Sequence, residues 1–199
     1  MLQKSILLLL IVSLSGFNFP SDPRPFDKWV IQKNCSLKVS GKTNVNKFSC
    51  VIDNYTKPDT LTHSGSSIGP LKLTGSLQLD ILDFDCNDPI MTKDLRKSLK
   101  YKEFPRMIIR FISLNRHPRF NKKPDNLKGM VAIELAGVTK QFEVSYLFQQ
   151  DGHSTAQLVG TRKVNFSDFN LTVPKKLAGI IKAGNELNVE FNLRFRIIE

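Results

Sequence analysis

From about residue 28 onward the chain alternates apolar and polar side chains with a period of two. The last run is the clearest. Leu187, Val189, Phe191, Leu193, Phe195 and Ile197 fall on one face, and Asn188, Glu190, Asn192, Arg194 and Arg196 on the other. Successive side chains of an extended chain point to opposite sides, so this pattern describes a strand with one dry and one wet face. Leu71, Leu73, Leu77, Leu79 and Ile81 repeat it with Gly75 on the same face, as do Phe142, Val144, Tyr146 and Phe148. Further strands are predicted over 28–33, 36–41, 45–53, 106–114, 128–138 and 156–166. The loops at 54–70 and 115–127 carry turn-forming residues, but strands flank both, so a single domain is expected.

Only two segments change to helical spacing. In 92–99, Leu95 and Leu99 lie four apart behind Thr92 as N-cap. In 174–183, Pro174 suits the first helical position, Leu177, Ile180 and Ile181 form one face, and Gly184 suits the stop. Helices this short cannot cover a large sheet, so the sheet must cover itself. Closure into a barrel also removes exposed edges. The expected fold is all-β, an antiparallel barrel of about eight strands with two short helices. Such an interior is either filled by side chains or holds one small ligand. Small residues at Gly75, Gly160 and Ala132 would leave room, and the pattern alone does not choose between the two.

The N-terminus adds a targeting signal. Lys4 precedes the apolar run Ile6–Val12, and Ser13-Leu14-Ser15 offers small residues for cleavage, so 1–15 is expected to be a signal peptide. The run is shorter than the about 20 residues needed to span a membrane. Phe17, not Cys, follows Leu14-Ser15-Gly16, so no lipoprotein box is present. Residues 16–27, with Pro20, Pro23 and Pro25, are an extended leader, and 28–199 is the folded domain. The destination is periplasmic or secreted. There Cys35, Cys50 and Cys86 allow three single pairings and leave one thiol over.

Composition agrees with a packed, exported domain. The 199 residues carry a net charge of +11, fourteen Phe and 41% hydrophobic side chains. That is too apolar for a disordered basic tail, and collagen, coiled coil and polytopic membrane protein are excluded. Removing the signal peptide takes only Lys4 from the charge. Basic residues cluster at Arg116, Arg119, Lys122 and Lys123, and at Arg162, Lys163, Lys175, Lys176 and Lys182. They are read first as a solvated hairpin tip and helix face, and as a functional surface they would fit an anionic partner such as lipid head groups, glycan or nucleic acid. The export signal and the scarcity of Tyr and Trp argue against nucleic acid.

Chemistry is sparse. His63, His117 and His153 have no second ligand at metal spacing, and Asp80, Asp83, Asp85 and Asp88 lack the spacing of a calcium loop. No nucleophile elbow or phosphate loop is present. No catalytic residue, metal or cofactor is assigned, and Cys35 is the one conceivable nucleophile.

Several motifs in chain order carry a resemblance. These are Trp29-Val-Ile31 followed by Ser36–Val39, Gly41–Cys50, Asp83-Phe-Asp-Cys86, Met91–Leu95, Phe104-Pro105 with Ile109 and Phe111, Gly137–Lys140, and Ser167–Leu171. Over about 28–199 they resemble the YceI-like family of exported lipocalin-like proteins, in its Bacteroidetes-type branch. The resemblance implies an eight-stranded antiparallel barrel, some members of which hold a polyisoprenoid in the lumen. It also implies a Cys50–Cys86 bridge with Cys35 left over. The chain departs from the family at Asn170 for Gly, which Asn tolerates, and at Phe166 for Arg and Cys35 for His, which removes two polar groups near the lumen mouth and implies a different ligand.

The expected function is to hold an elongated apolar lipid, of polyisoprenoid or isoprenoid-quinone type. The expected lumen residues are Leu77, Leu79, Phe111, Val144, Tyr146, Phe191, Leu193 and Phe195. The alternative is a packed barrel whose basic loops dock on anionic membrane or glycan. No enzyme is expected, and the sequence leaves open whether two barrels pair as a homodimer.

Overall fold

The computed structural model describes residues 28–65, 69–121, 123–176 and 181–198. The expected signal peptide and leader lie outside them. The strands are β1 (Lys28–Ile31), β2 (Cys35–Thr43), β3 (Lys47–Tyr55), β4 (Thr60–Ser64), β5 (Leu71–Thr74) and β6 (Ser76–Asp80). After helix α1 (Pro89–Ser98) come β7 (Arg106–Leu114), β8 (Asp125–Leu135), β9 (Val138–Gln150), β10 (Thr155–Asn165), β11 (Lys175–Lys176) and β12 (Ile181–Ile198). They form a closed, eight-stranded antiparallel barrel, because β1–β2, β3–β4 and β5–β6 each make one interrupted stave. The first stave kinks before β2 at Asn34, with φ 65, and the third at Gly75, with φ 148. At Gly75 a Cβ would meet Leu61 and the Thr60 carbonyl at 2.6 Å, so only glycine fits the corner.

β12 closes the ring. It pairs with β10 from Asn165↔Glu186 to Thr155↔Arg196 on one side. On the other it pairs with β2 and then with β1. Its inward residues Leu187, Phe191, Leu193 and Phe195 are all buried, as the alternation predicted. The β8–β9 hairpin turns at Ala136 and Gly137, with φ 51 and 78. Two successive positive φ values match the strand twist in a two-residue hairpin.

Three local expectations are corrected. α1 starts at Asp88, whose carboxylate accepts from Ile90 N and Met91 N, with Pro89 in the first turn. Thr92 is not the cap; it lies inside the helix, and its Oγ1 accepts from Cys86 N at 3.0 Å. The expected helix over 174–183 is not formed at its ends: Lys175 pairs with Lys182 and Lys176 with Ile181 as antiparallel strands. Residues 177–180 lie outside the described ones. Here sheet pairing at the start of β12 overrides a local helical spacing. The loop expected at 54–70 contains β4, which pairs with β1 and β5.

The barrel wall splits in two places toward the end where α1 sits. Between β3 and β6 the backbone bonds among the described residues run from Val51 to Asp85 in the segment that enters α1, at 2.7 and 2.9 Å. The Cys50–Cys86 disulfide fastens this insert to β3, as the resemblance implied. The second split lies between β9 and β10. Their pairing runs from Ala156↔Gln150 to Thr161↔Ser145 and stops. Beyond it β9 stays with β8, and β10 stays with β12.

Candidate functional site

All eight expected lumen residues are buried, none more than 5% exposed. Their aromatic members pack against neighbouring rings. The Phe191 ring meets Phe111 edge-on at 6.1 Å and Tyr146 at 5.7 Å. Phe195 stacks on Trp29 at 4.7 Å and tilts against Phe148 at 6.2 Å. The room expected at Gly160 is taken, while Gly75 and Ala132 line, with Phe111, an open depression of about 710 Å³ between β5–β6 and β8. A Cβ on Gly160 would lie 2.2 Å from Phe191 Cζ, so that glycine accommodates the ring. Ala132 pairs with Arg110 and has the opposite parity to inward Val131 and Ile133.

Empty space also lies below α1. An apolar cavity of about 60 Å³ is lined by Leu37 and Val39 of β2, Leu95 and Leu99 of α1, Met107 and Ile109 of β7, and Val164 and Phe169 beside the β9–β10 split. None of the eight expected residues lines it. Pockets for small molecules run from about 300 Å³ upward, so an elongated lipid enters this barrel only by displacing rings. The signal for these residues was present in the alternation of 36–41 and 106–114 and in the Leu95–Leu99 spacing. The Phe-rich stretches drew the expectation toward the middle of the barrel instead.

The β9–β10 split is closed from inside by a 3-10 turn, Phe166–Phe169, capped when Asn165 N donates to Asp168 Oδ2 at 2.7 Å. The turn ends at Asn170 in the left-handed region, φ 54, which Asn tolerates in place of glycine. Phe166 is fully buried and Phe169 nearly so. Phe169 lies 5.9 Å from Phe142 of β9. Outside the split is a polar cleft of about 500 Å³, lined by Lys38, Ser40, Glu143, Thr161, Arg162 and Glu190 among others. Val189 belongs to both the cleft and the cavity wall.

Three buried side-chain polar atoms lack partners within the described residues: the Tyr146 hydroxyl, the Trp29 indole N–H and Arg96 Nε, whose guanidinium is held elsewhere by its donation to the Phe84 carbonyl. Burial pushes the Tyr146 phenol well above its usual range, so it stays protonated and can only donate or accept a hydrogen bond. Burial also raises the Cys35 thiol, while the backbone N–H of Arg194 opposes the shift. Cys35 Sγ accepts that N–H at 3.2 Å in the β1–β2 kink. A protonated, buried thiol is a poor nucleophile.

Several other titratable residues have structural partners. Asp80 pairs with Lys57 and Arg106, and Asp85 Oδ1 accepts from Asn87 N at 2.9 Å. His63 lies against Trp29 and, edge-on at 5.7 Å, against His117. Among the described residues, no three His, Cys, Asp or Glu come together as a metal site. Of the basic loop, Arg116 grips Asp125 with two bonds of 2.8 and 2.7 Å, and Lys122 lies outside the described residues. Phe120 at its tip is 47% exposed and edge-on to buried Phe148.

The Arg116 guanidinium holds the Asp125 carboxyl down to about 2. A depressed folded-state pKa adds stability above the unfolded value, about 4, that is lost as pH falls toward 2. Asp125→Asn is therefore expected to lower stability by about 2 kcal/mol at pH 7. In urea melts taken from pH 7 to pH 2, the gap between wild type and variant should close; a gap independent of pH would contradict this.

Comparison with known proteins agrees with this architecture. A polyisoprenoid binding domain from Saccharophagus degradans, implicated in plant cell wall breakdown, superposes with a TM-score of 0.59 at 11% identity, covering 87% of this chain and 100% of that one. BcnA of Burkholderia cenocepacia superposes with a TM-score of 0.56 at 16% identity, covering 79% and 95%. At these identities the likeness is one of fold. The search of curated proteins finds no match to this sequence. The model of the YceI-like domain matches residues 28–195, nearly all of the described barrel, and the chain belongs to that family.

Proposed function

We propose that this protein is an exported carrier that takes the hydrocarbon tail of an isoprenoid lipid, of polyisoprenoid or quinone type, into its barrel. The observation that carries the reading is the wholly apolar cavity under α1, set directly behind a wall where β9 and β10 do not pair. An unpaired wall can part without breaking ladder bonds, and the rings of Phe169 and Phe142 are what must move. Each methylene buried contributes about 0.8 kcal/mol, so affinity needs few polar contacts. Membership of the YceI-like family and the polyisoprenoid binding named for the Saccharophagus degradans domain support the same reading.

Leu77, Leu79, Phe111, Val144, Tyr146, Phe191, Leu193 and Phe195 are the proposed path of the tail beyond the cavity, with Tyr146 the polar group along it. Export rests on Met1–Ser15, and the Cys50–Cys86 bridge fits an oxidising compartment. The reading assigns no reaction. Organic extraction of protein purified from its native host, followed by mass spectrometry, should return one isoprenoid lipid per barrel. Consistently empty protein would overturn the proposal.

A second reading draws on the packed interior and on exposed Phe120 in the loop of Arg119 and Lys123. In it the barrel is scaffold and the loop docks on an anionic membrane or glycan. Vesicle binding that collapses with salt, and with Arg119 and Lys123 changed to Glu, would favour it over the carrier.

A further inference from the structure

Arg162 sits where its position in the strand should hide it. In β10 its neighbours of the same parity, Leu158, Gly160 and Val164, are all buried, yet Arg162 is exposed. The pairing register with β12 runs through Arg162↔Val189 without a bulge, so no slip accounts for the exposure. It falls one residue past Thr161↔Ser145, where β9 and β10 part. Its guanidinium stands 5.7 Å over the ring of Phe142, the residue on the opposite edge of the split.

The nearby charges are largely engaged elsewhere. Glu143 accepts from Lys128 at 2.9 Å, and Lys163 donates to Glu186 at 3.0 Å. Glu190 also lines the cleft, as the register partner of Lys38 on β2 and of Thr161 on β10. Among the described residues Arg162 has no ion pair, and it lines the polar cleft that shares Val189 with the apolar cavity. A planar cation with free donors, at the polar side of an opening whose other side is wholly apolar, matches a ligand with one anionic end and one hydrocarbon end. Guanidinium engages phosphate with paired, charge-assisted hydrogen bonds.

We propose that the β9–β10 split is the mouth through which an isoprenyl phosphate enters tail first, and that Arg162 binds its phosphate there. The proposal rests on the carrier reading and names the head group and the door. Its test is calorimetric titration of wild type, Arg162→Gln and Arg162→Lys with geranylgeranyl monophosphate, geranylgeraniol and inorganic phosphate. Arg162 is exposed and meets the core only through its contact over the Phe142 ring, so the variants should fold and melt close to wild type.

Wild type is expected to bind the phosphate at least tenfold more tightly than the alcohol. Arg162→Gln should erase that difference while leaving the alcohol unchanged, and Arg162→Lys should restore part of it. If Arg162→Gln binds both lipids as wild type does, the head-group site is wrong and the carrier stands. If inorganic phosphate competes as well as the lipid phosphate, the cleft is a simple anion site and the proposal falls. If neither lipid binds wild type, the carrier reading falls with it.

Discussion

Replacing Cys50 and Cys86 together by Ala is expected to lower the unfolding free energy by about 4 kcal/mol. The bridge closes a loop of sequence separation 36, and chain entropy alone assigns about that much to such a loop. The structure gives a local reason to expect the full effect. Between β3 and β6 the wall is held by the Val51–Asp85 exchange, by Gln78 N donating to Tyr55 Oη at 3.3 Å and by Lys57 Nζ donating to the Gln78 carbonyl at 3.0 Å. Without the bridge, the 81–88 segment and α1 are tied to β3 by two backbone bonds. Urea unfolding of wild type, with and without reductant, should show the same loss as the double variant. A change below about 1 kcal/mol would mean that the insert is held by its packing alone.

Phe191→Ala is expected to cost about 3–5 kcal/mol, the range for deleting a buried aromatic ring. Phe191 fills the middle of the barrel, with Phe111 and Tyr146 edge-on to it and Gly160 giving it room. Little nearby can collapse into the space. The same substitution opens the proposed path of the tail, so the carrier reading adds a second expectation. Saturating geranylgeraniol at about 100 times its dissociation constant should restore about 2.7 kcal/mol. A loss of stability that lipid does not recover would separate a packed core from a binding lumen.

Much of the barrel could be read from the chain because its strands are amphipathic and their register is therefore fixed by burial. The alternation of β12, β9 and β5–β6 located their inward residues one by one, whereas the strand expected over 128–138 runs through the turn that Ala136 and Gly137 in fact make. Prediction failed where pairing partners, rather than local pattern, decide the outcome. Lys175–Lys176 is strand only because Ile181 and Lys182 lie opposite, and β4 is strand only because β1 and β5 flank it. The site was less legible for a related reason. Which inward residues meet a void depends on where the wall splits, and a split is a property of two strands. Arg162 shows this most plainly, since nothing in its own segment marks it as a residue at an opening.

The central claim is that the hydrocarbon tail lies inside the barrel, and a crystal structure of the protein loaded with an isoprenoid lipid tests it most directly. The account predicts continuous density from the β9–β10 split into the space under α1 and on past Phe191, with the rings of Phe142, Phe169 and Phe191 displaced. Lipid found only on the outer wall or the basic loops, with those rings packed as they are here, would contradict it.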